Sequence, residues 1–326
     1  MQYARTSFEN LARRIALTGL TSRNNAEKLI SSGSVRVDGT VCKLNFSIPD
    51  TATVFVKLED GDHFIPPPAS LPKMWGLGKP RGVYCDVDYK TKGRDDSRAT
   101  RSQDKSGSGK DEEEQTVGLR ELVERWKGRN LEQYGKSWTE ETLPRHVVAI
   151  NHLGLMDHGV VVLTTDSEFA NKMRNPNSLI LSSYRVKVNG GFLADKDPEK
   201  VFRAWAGSEG VKAHGIDYGK VFVRVLSRSR EGTSILRVEL VATRERNISD
   251  LLYSKLDLRV LRMNLDSFGP YSLGNIPSGQ VASLPFKPAL EPFLSPREVK
   301  DVLLPIEGKL VDPQSNRPVY TRFNSL

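Results

Sequence analysis

The chain carries only two cysteines in 326 residues. Cys42 and Cys85 sit in separate strand-like runs, and nothing spaces them as a metal or redox pair. Both are therefore expected to be ordinary apolar residues in a reducing compartment. No apolar stretch approaches the roughly 20 residues that a membrane helix needs, so a helical span is excluded. Acid is in shorter supply than base: Asp and Glu number 40 against 48 Lys and Arg, giving a net charge of +8 and a pI of about 9.4. That balance points to a polyanion, with RNA or DNA ahead of an anionic membrane surface, although plain solubility accounts for the charge equally well. A hydrophobic content of 38% and a charged content of 27% describe a soluble globular protein with polar insertions, long enough for two domains and a sizeable core.

Residues 8–58 read as a small module. Phe8, Leu11, Ala12, Ile15 and Ala16 recur at helical spacing, and Gly19 closes that turn. Thr21-Ser22 offers an N-cap for a second helix carrying Ala26, Leu29 and Ile30, which stops at Gly33. Val35 and Val37 alternate with Arg36, and Asp38-Gly39 is a tight-hairpin signal before Val41. Val54 and Val56 give a further strand. Pro66-Pro67-Pro68 and Pro72 then mark a stiff linker.

Residues 90–116 are Ser, Lys, Arg, Asp and Glu with almost no apolar side chain. Such a stretch cannot bury enough surface to offset its ordering entropy, so an inserted disordered loop is expected. Asp111-Glu112-Glu113-Glu114 within it reads as solvated rather than as a metal site. Regular patterning returns at Val117. Leu119, Leu122, Val123 and Trp126 suggest a helix, and Val147, Val148 and Ile150 a strand. Val160-Val161-Val162-Leu163 has strand length, and Asp166 is placed to cap a helix through Phe169, Ala170 and Met173. Tyr184 to Gly190, Val221-Phe222-Val223 and Leu236 to Leu240 alternate as strands. Mixed strands with peripheral helices make an α+β domain. A proline-punctuated tail with one helix-like piece, Pro296 to Leu303, follows.

Residues 150–166 read Ile-Asn-His-Leu-Gly-Leu-Met-Asp-His-Gly-Val-Val-Val-Leu-Thr-Thr-Asp. This resembles the active-site motif Gly-Arg-Leu-Asp-x-x-Thr-x-Gly-Leu-Leu-Leu-Leu-Thr-Asn-Asp of the bacterial-type ribosomal RNA pseudouridine synthases of the RsuA/RluB class. Anchored on Gly159 and Leu163-Thr164, the alignment puts Gly154 where the family keeps its catalytic aspartate. Lys79-Pro80-x-Gly82 resembles the motif that begins the family's catalytic domain, and Tyr184-Arg185-Val186 matches its Tyr-Arg-Val motif, with Pro176 at the family's distance upstream. The lysine usual two residues before the tyrosine is Ser182. The family's second basic motif corresponds to Thr243 through Leu251, where Ser249 replaces the arginine that pairs with the aspartate and Asp250 replaces the next arginine. The amino-terminal pattern resembles the αL-type, S-four-like RNA-binding module.

The resemblance implies a small RNA-binding module over residues 1–60, a linker over 61–75, a pseudouridine-synthase-like domain of mixed and antiparallel strands over 76–280, and an extension over 281–326. It implies RNA contact by Arg13, Arg14, Arg23, Lys28, Arg36, Lys79, Tyr184 and Arg185, with Tyr184 stacking on a base and the cations meeting phosphates. No metal or organic cofactor is implied. His152 and His158 invite a metal reading, but no carboxylate or thiolate set stands at ligand spacing.

The expectation is a catalytically inactive homologue that binds ribosomal RNA, with the large subunit preferred on resemblance alone, as an assembly factor or ribosome-bound component. Ribosomal or assembly proteins would meet the insertion and the tail. The degenerate site is Gly154, Tyr184, Arg185 and Ser249. Two alternatives stand beside this: an active synthase using Asp157 as a relocated acid, and a general RNA-binding protein. Met1 to Phe8, with Arg5 and no acid, is too short for a complete transit peptide. The mitochondrial matrix is the expected compartment, with the cytoplasm or another organelle as the alternative.

Overall fold

The computed structural model describes residues 8–69, 71–87, 117–124, 143–189, 198–229, 232–241, 246–274, 276 and 278–294. The expected insertion at 90–116 lies outside the described residues, as do Trp126, residues 242–245 and the helix-like piece from Pro296.

The first hydrophobic core is built by a short chain of local signals. Strand β1 (Phe8–Asn10) leads into helix α1 (Leu11–Leu17), whose N-cap is Asn10: its Oδ1 accepts from Arg13 N at 3.2 Å. Phe8 is thus not on the helix, as its spacing suggested, but pairs with Pro49 of β4 (Ser47–Pro49), because the cap at Asn10 starts the helix after it. Helix α2 (Arg23–Ser31) begins on Ser22, whose Oγ accepts from Asn25 N at 3.3 Å. Asp38 and Gly39 both take positive φ, 49° and 82°, the twist that a two-residue hairpin requires. They join β2 (Val35–Val37) to β3 (Thr40–Cys42). With β5 (Val54–Leu58) and β6 (Gly61–Ile65) these form a sheet in the order β3-β2-β5-β6. Leu11, Ile15, Ala26, Ile30, Val35, Val54, Val56 and Ile65 bury their side chains between helices and sheet.

The second core surrounds a nine-stranded sheet. Its strands are β7 (Met74–Lys79), β8 (Val148–Ala149), β9 (His158–Thr164), β10 (Leu181–Asn189), β13 (Phe222–Arg228), β14 (Thr233–Val241), β15 (Arg259–Phe268), β16 (Tyr271–Ser272) and β17 (Val281–Leu284). The main path runs β13-β14-β10-β15-β9-β7-β17, with β16 on β15 and β8 on β9. Only β9 and β15 pair in parallel among these named strands. Two shorter strands, β11 (Val211–Ala213) and β12 (Ile216–Gly219), form their own hairpin. Helices α3 (Ser167–Arg174), α4 (Pro198–Ala206) and α5 (Ile248–Leu256) and a helical segment at 119–124 complete the α+β architecture expected from the sequence. Asp166 caps α3 as its position suggested, accepting from Glu168 N and Phe169 N at 2.9 and 3.1 Å.

Gly159 permits the parallel pairing. Its φ is +150°, and a Cβ there would lie 2.5 Å from Leu265 O and 2.6 Å from Leu265 Cβ on β15. Any side chain would push β15 off β9.

Arg14 departs from the expectation of RNA contact. It is 1% exposed, and its guanidinium donates to Pro66 O at 3.2 Å, Pro49 O at 3.4 Å, Ala52 O at 2.9 Å and Ile65 O at 3.1 Å. These carbonyls lie at or just beyond the ends of β4 and β6 and before the start of β5, so the cation is spent on the backbone and cannot meet a phosphate. Arg14→Met should destabilise the protein by about 3 kcal/mol, because buried carbonyls would lose their donors. Exposed Arg23→Ala should stay within about 0.5 kcal/mol of wild type. Thermal and denaturant unfolding of the two variants checks the contrast.

Candidate active site

The segment around Gly154 is organised by a buried cation. Lys79 ends β7 and is fully buried. Its ammonium donates to Pro80 O at 3.1 Å, Gly154 O at 2.9 Å, Leu155 O at 3.3 Å and Asp157 O at 2.8 Å. Burial pushes its pKa down to about 8, against the smaller opposing influence of Cys85 and Asp157. Lys79 was expected at the RNA surface; instead it wraps the 154–157 turn around itself. Asn151 closes the other side. It is buried, its Nδ2 donates to Val160 O at 2.9 Å, and its Oδ1 accepts from Val162 N at 2.8 Å. An asparagine at this position thus replaces strand pairing where β8 has already ended.

The turn closes on itself through Asp157. Asp157 N donates to Gly154 O at 3.1 Å, and the Asp157 carboxylate accepts from Gly154 N at 3.0 Å. A Cβ built on Gly154 would lie 2.7 Å from Asp157 Oδ2. The Asp157 carboxylate therefore fills the space where a side chain at 154 would begin. Burial raises its pKa, while the Gly154 N–H, Lys79, Arg81 and His152 favour its charged form.

Tyr184 lies on β10 beside a register shift between Ser183 and Tyr184 in the pairing with β15. Such a bulge re-aims the side chain next to it. Tyr184 is buried, and burial first, the Asp157 charge second, pushes its phenol above the ordinary value. It borders a cleft of about 260 Å³ with Cys85, Asn151, His152, Arg174 and Ser178 among the other walls. None of the described residues lining this cleft is a carboxylate. Arg174 is turned to the backbone, donating to Ile150 O at 3.2 Å and to Ala149 O.

Ser249 sits in the first turn of α5, and its backbone N–H donates to the N-cap Asn247 at 2.9 Å. Asp250 beside it suits the positive end of the helix dipole. Where the family motif supplies arginines, this chain supplies an ordinary helix start. Among the described residues no hydrogen bond or ion pair joins Ser249 to Gly154, Asp157 or Tyr184. Ser182 is fully buried, so the lysine usual there would need a partner in the core.

Of the expected RNA contacts, Arg23, Lys28 and Arg36 are exposed, with Glu27 at 3.6 Å from Arg23 and Asp62 at 3.7 Å from Arg36. Arg185 is half-exposed, with Asp266 at 2.8 Å. Arg13 is not available: its guanidinium lies at 2.8 Å from Glu9, 3.3 Å from Asp166 and 3.4 Å from Glu168, which pins the first core against α3. The structural roles of Lys79, Asn151 and Arg13 were missed because a cation or amide looks the same in sequence whether it faces a phosphate or a carbonyl.

Comparison with known proteins accords with these motifs. The chain is 25% identical over 275 residues to an uncharacterized RNA pseudouridine synthase of Rickettsia typhi, covering 82% of this chain and 88% of the relative. It is 23% identical over 282 residues to ribosomal large subunit pseudouridine synthase B of Bacillus subtilis, covering 85% and 92%. The chain is thus similar over most of its length to RNA pseudouridine synthases, among them a ribosomal large subunit enzyme. A putative chloroplastic ribosomal large subunit pseudouridine synthase of Arabidopsis thaliana is 24% identical over 186 residues, and the match spans 37% of that relative's length. A solved pseudouridylate synthase aligns over 87% of this chain and 99% of its own at 14% identity, with a TM-score of 0.46. No family model matches the chain.

Two outcomes follow for this site. Lys79 loses its proton in the folded protein near pH 8 but in the unfolded chain near 10.5. Between those values the unfolded state binds more protons, so this group adds stability as pH rises and adds none below the window. The Tm difference between wild type and Lys79→Met should therefore widen from pH 7 to about 9.5. Second, Gly154→Asp should be rescued by Asp157→Thr, with a coupling of about 1–2 kcal/mol in a double-mutant cycle, because the two side chains compete for one space. Additive effects would show that the turn relaxes freely.

Proposed function

We propose that this protein is a catalytically silent pseudouridine-synthase homologue that binds ribosomal RNA, acting in ribosome assembly or as a ribosome-bound component. The observation that carries the proposal is the cleft beside Tyr184, which no carboxylate lines among the described residues, next to a position 154 without a side chain. Detaching uracil from ribose requires a carboxylate to attack the substrate or assist glycosidic cleavage. A flipped base can still enter the cleft and stack on Tyr184. The names of the relatives in Bacillus subtilis and Arabidopsis thaliana support ribosomal RNA of the large subunit as the ligand. Of the cations expected to meet phosphates, Arg23, Lys28, Arg36 and Arg185 are exposed. The compartment proposed with this function is the mitochondrial matrix, with the cytoplasm or another organelle as the alternative; the two free cysteines fit any reducing compartment.

One observation favours a second reading. The Asp157 carboxylate stands at the root of the missing side chain, and its charge reaches Tyr184. If the 154–157 turn shifts on RNA binding, Asp157 is the acid that would serve an active enzyme. A misplacement of even about 1 Å costs on the order of a hundredfold in rate, which weighs against it.

RNA crosslinking in cells, with pseudouridine mapped at the crosslinked sites in the presence and absence of the protein, separates the readings. Crosslinks to ribosomal RNA, an unchanged pseudouridine map and defective particle assembly on depletion are expected. Loss of one pseudouridine on depletion, repeated by Asp157→Ala, would overturn silence in favour of the relocated acid. Crosslinks spread over unrelated RNAs would point to a general RNA-binding protein.

A further inference from the structure

Strand β10 has two faces. Tyr184, Val186 and Val188 are buried on one, while Arg185 and Lys187 are exposed on the other. Residues directly paired on neighbouring strands share a face. Arg185 pairs with Arg237 of β14, and Arg237 pairs with Arg224 of β13. Three arginines thus stand side by side across three strands, at an interstrand spacing of about 5 Å. On the same face Lys187 pairs with Arg262 of β15. Like charges directly opposite one another cost stability. Arg185 is paired with Asp266, whereas Arg224, Arg237, Lys187 and Arg262 have no carboxylate within ion-pair distance among the described residues. The acids on this face are Asp266 and Glu239, and Glu239 accepts from Ser183 Oγ at 3.0 Å.

Beside the row lies a cleft of about 570 Å³, lined by His158, Arg185, Arg237, Asn264, Asp266 and Ser267 among others. His158 Nδ1 and Asn264 Oδ1 are buried there without a hydrogen-bond partner, and the two residues are register partners on β9 and β15. Buried polar atoms left unpaired cost free energy that a ligand can recover. A row of three guanidiniums, of which only Arg185 meets a carboxylate among the described residues, next to unpaired neutral polar atoms suits one ligand class best: a single-stranded RNA segment, with phosphates on the arginines and a sugar hydroxyl or base edge in the cleft. An acidic peptide would meet the charges but leave the neutral atoms less well matched.

We propose that this outward sheet face, on the side of β10 opposite Tyr184, is a second RNA-binding surface centred on Arg224, Arg237 and Arg185 with His158 and Asn264. The proposal rests on the reading of the protein as RNA-binding and extends it from the cleft beside Tyr184 to the opposite face of the sheet, where Arg185 and His158 are joined by Arg224 and Arg237 of β13 and β14.

The test uses the full chain and a labelled single-stranded RNA, with affinity measured by anisotropy between about 50 and 200 mM salt. In the Arg224→Gln/Arg237→Gln/Arg185→Gln variant, the slope of log K against log salt should shrink by about 2, since each single-strand phosphate contact contributes about 0.7. Affinity should fall roughly a hundredfold at 0.1 M salt. The matching Arg→Lys triple variant should keep the slope, which separates lost charge from misfolding, and the Gln variant should keep or raise the wild-type Tm because like-charge repulsion is relieved. A Gln variant that binds with the wild-type slope overturns the sheet-face assignment alone. A wild-type protein that binds no RNA overturns the RNA-binding reading as well. Wild-type binding to poly-glutamate but not to RNA, lost in the Gln variant, overturns the assignment in favour of an acidic protein partner.

Discussion

The buried ammonium of Lys79 is the constraint on which the candidate site depends. Four carbonyls, from Pro80, Gly154, Leu155 and Asp157, converge on it. A buried charge is tolerated only when its donors are matched by acceptors. The matching fixes the path of the 154–157 turn even though its first residue has no side chain. Asp157 then closes the turn from outside, accepting from Gly154 N. The turn is thus held by carbonyls around one ammonium and by a carboxylate that occupies the space where a side chain at 154 would begin. Beyond the turn, β9 pairs in parallel with β15.

A second polar device joins the two cores. Asp166 caps α3 through one carboxylate oxygen and faces Arg13 of α1 with the other. Arg13 also meets Glu9 and Glu168. Gly19 lies against Pro144 and Thr165 so closely that a Cβ would fall 2.4 Å from Pro144 Cβ, and its carbonyl accepts from His146 N at 2.7 Å. Partly buried ion pairs set orientation more than they add stability. The amino-terminal helices are therefore held at a defined angle to the sheet, and the exposed cations of α2 and β2 are carried with them.

Much of the fold was legible because it rests on local chemistry. Ser22 and Asp166 cap helices where they stand in the sequence, Asp38-Gly39 turns a hairpin, and the alternation through β10 and β14 predicts their buried faces. At the candidate site the motifs set Gly154 against the family's aspartate and Ser249 against its arginine, and the structure adds the closed 154–157 turn and the helix start around Ser249. What failed were the assignments of individual cations. Arg13, Arg14 and Lys79 read as RNA contacts, yet one is pinned by carboxylates and two are buried among carbonyls. Phe8 read as helical because its spacing fits, and only the distant strand at Pro49 claims it.

The sequence by itself determined the helix starts, the turns and the faces of the strands, because each depends on residues near one another in the chain. Tertiary structure alone decided which cations are spent inside the protein and which remain for a polyanion. Arg14 reaches carbonyls 35 to 52 positions away and Lys79 reaches carbonyls 75 to 78 positions away. Likewise, Arg185, Arg237 and Arg224 become one row only when β10, β14 and β13 align in register. A charge has the same sequence signature in either role, and only the dielectric and the partners that the fold places around it distinguish them.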